Sequence, residues 1–247
     1  MLSGLTRNAC YIHRGNHPDG VRGIMVHSTA KNNSSVGRYV HSVTEEYPQG
    51  DPLLKENTRE NHWNMYHVEC KNKGVLNQIA CHENKTGSVA DSPCDVGKGT
   101  IACVHAFVGK LKDESVGVYQ TLPWEKRGWH SGHYGTHDSA NDKGYIGFEI
   151  CEDRSDANYL KAAYHEAVKL CAYLCKMFPD IDTSNGKIAT TIISHKEAGS
   201  KELKLGTPGK EDPDDWFNEN GYSMDGFRQD VKNIKDILPS PDHRFTW

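Results

Sequence analysis

The firmest constraint on the fold is the segment from about residue 158 to 178. Leu160, Ala163, Tyr164, Ala167, Leu170, Cys171, Leu174 and Phe178 recur there at helical spacing. Ser155 or Asp156 can cap its start by offering an oxygen to the first free backbone N–H groups. Around that helix, short apolar runs read as strands. VRGIMV (21–26) follows a Gly-containing turn and ends at His27, while ACVHAFVG (102–109) and SVGVYQTL (115–122) flank the polar turn KLKDE as a hairpin. YIGFEIC (145–151) precedes the helix, and IATTIIS (188–194) follows it and ends at His195. After a Gly/Pro-rich loop, residues 224–238 read as a final amphipathic helix. Elements mixed in this order predict an α/β domain with a mixed central β-sheet flanked by helices.

A chain of 247 residues suits one domain, here expected over residues 1–247, with room for a sizeable insertion. Hydrophobic residues at 36% and charged residues at 25% give no sign of a disordered chain. No apolar run approaches the ~20 residues of a membrane span. The opening MLSGLTRNACYIHRGNH lacks the basic-then-apolar order of a secretory signal, so synthesis in the cytoplasm without a signal peptide is expected. A net charge of −4 argues against nucleic acid as a partner.

Residues 30–100 are polar and rich in Asn, Gly, Lys and Asp, with one short helical candidate near 36–46. A stretch of that kind inside a compact domain predicts a functional loop or an insertion. The eight cysteines form no CxxC pair, which argues against a zinc ribbon. Cys171 and Cys175, four apart in a helical pattern, read as small apolar packing. For Cys70, Cys81, Cys94 and Cys103 both disulfides and free thiols stay open.

Chemistry is to be sought among the fourteen histidines. His27 and His195 each follow an apolar strand, and Asp212 lies in a later loop. Two imidazoles and a carboxylate make a catalytic zinc set that leaves a fourth position open. With so many histidines, chance pairing stands beside that reading. Glu149, in the apolar run FEIC, either is buried, at a cost unless partnered, or points to solvent on one strand face. Lys210 is by default a solvated loop lysine, and His105 a hydrogen-bonded core histidine. His133 and His137 read as exposed loop residues, and His62 and His67 lie beside Trp63 and Tyr66.

Seven motifs carry a resemblance: VHST (26–29), HAFVGK (105–110), VYQTLPW (118–124), GWHSG (128–132), IGFEI (146–150), SHKE (194–197) and a late DP…WF…SMDGFRQDV. In this order they resemble the zinc-dependent N-acetylmuramoyl-L-alanine amidases of bacteriophage lysins and bacterial autolysins, which share a fold with the animal peptidoglycan-recognition proteins. The match runs from about residue 7 to 235. It implies one Zn2+ per chain, held by His27, His195 and Asp212. It also implies that Glu149 passes a proton from water to the leaving amine, and that Lys210 is the cation beside the oxyanion. The same resemblance puts His130 and Trp129 on a loop at the cleft rim, where His130 either bonds substrate or supports Trp129, and lets Tyr119 lean toward the metal.

The expected partner is peptidoglycan, acted on by a monomeric enzyme. Motif wording favours a lysin of Gram-positive hosts, reaching the wall after holin-type or other non-classical release, over a cytoplasmic recycling amidase. A non-catalytic binding module would have lost a ligand, and here His27, His195, Asp212 and Glu149 are all present. A stem-peptide peptidase would need a motif such as HExxH, which the sequence lacks. Against the compact family pattern, residues 70–99 are extra and read as a surface insertion, with no separate cell-wall-binding domain expected.

Overall fold

The computed structural model describes residues 6–7, 16–36, 104–111, 113–120, 124–184 and 191–238. Within these, six strands form one sheet: β1 (Thr6–Arg7), β2 (Gly23–Asn32), β3 (Ala106–Lys110), β4 (Val116–Gln120), β5 (Tyr145–Glu152) and β6 (Ile192–Ser194). The order is β1-β4-β3-β5-β2-β6. Only β3 and β4 run antiparallel, as the short polar turn between them requires; the other neighbours are parallel. The predicted mixed sheet is therefore what forms. The four helices among the described residues are α1 (Ala157–Met177), α2 (His195–Ala198), α3 (Asp214–Glu219) and α4 (Met224–Ile237).

Pairing register sorts the strand residues onto two faces. Ile24 and Val26 on β2, Ala106 and Val108 on β3, Val118 on β4, and Ile146, Phe148 and Ile150 on β5 form one apolar face. Helix α1 covers it with Leu160, Ala163, Ala167, Leu170, Cys171 and Leu174. Asp156 starts α1, its Oδ1 accepting from the N–H groups of Asn158 and Tyr159 at 3.0 Å each. Trp216 and Phe217 of α3 and Phe227 and Val231 of α4 extend the same core. Burying each large apolar side chain stabilises the fold by roughly 1.5–3 kcal/mol. Cys171 and Cys175 are free, buried thiols in that packing.

All eight residues of β5 are buried, because both faces of this central strand are covered. Its other face, together with β2, presents His27, Gly147, Glu149 and Cys151, and two smaller apolar clusters flank them. Val36, Val104, Phe107 and Cys151 form one, while Met25, Ala140, Tyr145, Ile193 and Ala198 form the other. The sheet thus has a core face and a face that holds polar residues between apolar margins.

Strand β2 runs past its sequence reading. The first apolar run was expected to end before His27, yet β2 continues to Asn32. Polar side chains beyond His27 still find partners on β5: Ser28 Oγ donates to Glu152 Oε1 at 2.6 Å, and Thr29 Oγ1 accepts from the Glu152 N–H at 3.0 Å. The register is continuous to Ser28 and shifts before Asn32. Helix α1 spans one residue earlier at each end than predicted, Phe178 being its C-cap. Among the described residues, the predicted runs at 102–109, 115–122 and 188–194 supply β3 (Ala106–Lys110), β4 (Val116–Gln120) and β6 (Ile192–Ser194), and 102–103, 121–122 and 188–190 lie outside the described residues. The helical candidate near 36–46 (beyond Val36), the insertion at 70–99, the His62–His67 segment, Cys70, Cys81, Cys94 and Cys103 lie outside the described residues. Among the described residues, no helix is long and apolar enough to cross a membrane.

Candidate active site

Two adjacent parallel strands set His27 and Glu149 side by side. They are direct register partners, and the same row continues through Phe107 on β3 to Tyr119 on β4. Register partners project from one face of a sheet, so the imidazole and the carboxylate share the face opposite α1. Both are buried, at 1% exposure each.

His195 arrives from the next strand. It is the first residue of α2, whose start is a capping box: Ser194 Oγ accepts from the Glu197 N–H, and Glu197 Oε2 accepts from the Ser194 N–H, both at 3.0 Å. Glu197 is in turn held by Arg228 of α4, Nη1 at 3.0 Å and Nη2 at 3.1 Å. Arg228 also donates to the Ile192 carbonyl at 3.0 Å and to Asp225 at 2.6 Å. One buried guanidinium thereby ties α4, β6 and the capping carboxylate behind His195 together. Asp212 follows in the loop before α3, its carbonyl accepting from the Lys196 N–H at 3.3 Å.

Three donor atoms converge. Nδ1 of His27 lies 3.1 Å from Nδ1 of His195, and each is 3.2 Å from Oδ2 of Asp212. Three ligands of one tetrahedral zinc, with bonds of 2.0–2.1 Å, stand about 3.3 Å apart. The observed triangle is nearly that one. Among the described residues this is the one His/Cys/Asp/Glu group close enough to hold a metal ion.

The electrostatics suit the same use. Burial pushes His27 down to about 4, against the opposing pull of Asp212, so its ring is neutral near pH 7 with a lone pair to offer. Burial works against charge on Asp212, but the imidazoles of His195 and His27 outweigh it and hold the carboxyl well below its usual range. Burial also raises Glu149 well above the ordinary carboxylate value, the charges of Asp212 and Glu152 raise it further, and Lys210 lowers it. Oε2 of Glu149 is buried with no hydrogen-bond partner among the described residues. A carboxylate oxygen kept unpartnered beside two imidazoles and an aspartate costs stability and is placed to take up a proton.

Lys210 is exposed, and its charge reaches both Glu149 and His27. Trp129 is half-buried with its ring edge-on to exposed His133, 5.0 Å between centroids. His137 is exposed as well. Tyr119 is half-buried against the cluster containing Phe107 and Cys151. His105 is fully buried, with Nε2 donating to the Lys126 carbonyl at 2.7 Å and Nδ1 accepting from the Gly147 N–H at 3.0 Å, as expected of a core histidine. His130 does not stand at a rim. It is 7% exposed, directly beneath His27.

Sequence reasoning missed three supports of the site: His130 under His27, the Arg228–Glu197 pair behind His195, and Glu152 behind Ser28. Glu152 is held by Arg154 Nε at 2.9 Å, and Arg154 reaches Asp215 and Glu219 of α3. Signals for two of them were present. SHKE has the S-x-x-E form of a capping box, and Gly147 inside an apolar strand marks a close approach.

Two imidazoles, a carboxylate and an adjoining proton acceptor on one sheet face are the equipment of a metal-assisted hydrolase. The chain belongs to the N-acetylmuramoyl-L-alanine amidase family, whose model matches residues 16–215. It is accordingly an amidase of peptidoglycan. Among solved structures it is similar to Staphylococcus aureus hydrolase AmiA in complex with its ligand, at 16% identity and a TM-score of 0.56 over 94% of this chain and 82% of that one. A selenomethionine derivative of AmpD aligns at 16% identity and a TM-score of 0.46, over 94% of this chain and 96% of that one. PlyL aligns at 14% and 0.46, over 92% and 96%. The AmiA likeness concerns the fold. No curated protein matches the chain in sequence.

Proposed function

We infer that this amidase is zinc-dependent and acts as a cell-wall lysin, splitting the amide between N-acetylmuramic acid and L-alanine. The observation that carries the metal is the triangle of buried His27 Nδ1, buried His195 Nδ1 and half-buried Asp212 Oδ2, with edges of 3.1, 3.2 and 3.2 Å. When bound there, zinc supplies Lewis acidity that acidifies water and polarises the scissile carbonyl. Glu149, unpartnered at Oε2 beside the triangle, takes the proton of the attacking water. It delivers that proton to the alanine nitrogen as the C–N bond breaks, leaving a lactyl carboxylate and a free alanine amine. Lys210 offers its ammonium to the oxyanion of the tetrahedral intermediate. Trp129 and Tyr119, both half-buried, are proposed substrate contacts. The lysin reading rests on the wording of HAFVGK, VYQTLPW and SMDGFRQDV.

Two measurements on the purified chain test this. Metal analysis should return about one zinc per chain, and none in an Asp212→Ala variant. Glu149→Gln keeps its zinc but loses on the order of 10²–10⁴ in turnover. Full activity in the glutamine variant would remove Glu149 from the mechanism.

A further inference from the structure

The two ring nitrogens of His130 are both engaged. Nδ1 lies 3.1 Å from Nε2 of His27, and Nε2 lies 3.2 Å from the carbonyl oxygen of Tyr145. The His27 and His130 rings meet edge to face, with centroids 5.2 Å apart at 85°. A carbonyl can only accept, so the proton of a neutral His130 sits on Nε2. Its Nδ1 is then bare and accepts from Nε2–H of His27. That leaves Nδ1 of His27 bare, the same atom that faces His195 and Asp212.

The fold builds a seat for this ring. Asn141 Oδ1 accepts from the backbone N–H groups of His130 at 2.8 Å and Ser131 at 3.3 Å, and Asn141 Nδ2 donates to Ser139 Oγ at 3.2 Å. The imidazole lies against Gly147, where a Cβ would come within 2.4 Å of its Cγ and Nδ1. Glycine is thus required in the strand at the point where the ring crosses it.

We propose that His130 is a positioning residue for the metal centre, fixing His27 in the tautomer and orientation that turn the Nδ1 lone pair toward the ion. The inference rests on the zinc reading above. It also removes His130 from the substrate contacts, since neither ring nitrogen is left to bond a sugar or peptide. Outer partners that orient a ligating imidazole are worth roughly 10–100-fold in metal affinity.

The test compares zinc affinity of the full chain, by chelator competition, in wild type, His130→Phe and His130→Asn, with circular dichroism confirming the fold. His130→Phe fills the seat without an acceptor and should lose about 10–100-fold in affinity. In His130→Asn, Oδ1 falls where Nδ1 stood and still accepts from His27, so most of the affinity returns. Long-range ¹⁵N–¹H spectra of the zinc-loaded wild type should show His27 and His130 each protonated on Nε2. A folded His130→Phe chain that binds zinc as tightly as wild type overturns the proposal, as does a proton on Nδ1 of His27. If the Phe variant fails to fold, the spectrum decides. Wild type without affinity for zinc overturns the metal reading and this proposal with it, whereas tight binding by wild type and His130→Phe alike overturns this proposal alone.

Discussion

Glu149 must be ionised to act as a base, yet its surroundings favour the protonated acid. Burial first, then the charges of Asp212 and Glu152, raise it well above the ordinary carboxylate value, while Lys210 pulls it back. The sign follows directly: kcat/KM should fall as pH drops through that raised value, so the acidic limb lies above the usual glutamate range of about 4.3. Lys210→Met removes the cation that favours the carboxylate and should move the limb to higher pH, with a fall in kcat of about 10²–10³-fold. A pH–rate series on both proteins checks this; an unmoved limb separates Lys210 from Glu149. Alternation along FEIC told only that Glu149 lies on one face of its strand. Whether that face meets solvent depends on the apolar clusters around Phe107 and Met25, which come from distant parts of the chain.

At the scale of elements, the position of His195 is set by how α2 starts and what stands behind it. Arg228 is 1% exposed and makes two hydrogen bonds to Glu197, whose carboxylate also closes the capping box. Removing one partner of a buried pair leaves the other charge uncompensated, at a cost of about 3–5 kcal/mol. Arg228→Met should show that loss in urea unfolding of the chelated chain, together with weaker zinc binding through His195. Unchanged stability would mean that Glu197 finds another partner. The long helix α1 was legible because its apolar period is unbroken over many turns. α2 and α3 were not, because helices of four and six residues are too short to show a period. The overrun of β2 past His27 was hidden for a related reason, since Ser28 and Thr29 are polar and their partners on β5, Ile150 and Glu152, come from a distant segment.

Across the whole molecule, the polar face of the sheet is lined with neutral imidazoles. Burial pushes His17 to about 4, His27 to about 4 and His105 to about 3, and holds His130 well below its ordinary value. Each has a folded value below the unfolded one, near 6.5, so each contributes stability above about pH 6.5 that is lost as pH falls toward the folded values. Every such group steepens the loss by up to about 1.4 kcal/mol per pH unit. The Tm of the chelated chain should therefore drop steeply between about pH 6.5 and 4, and a flat profile would contradict neutral burial of these rings. The mixed sheet and the His27–His195–Asp212 set were readable from strand-like runs and family motifs. The packing of His17, His105 and His130 around Trp124 and His27 was not, because each comes from a different segment and none shares a local pattern.

The proposed reaction is a metal-dependent cut at one bond. Purified peptidoglycan digested by the chain, with and without a chelator and then with zinc restored, tests it most directly by mass spectrometry of the products. Free lactyl carboxyls on muramic acid and new alanine amino termini are expected, lost on chelation and recovered with zinc. New reducing sugar ends, or the same cleavage undiminished by the chelator, would contradict it.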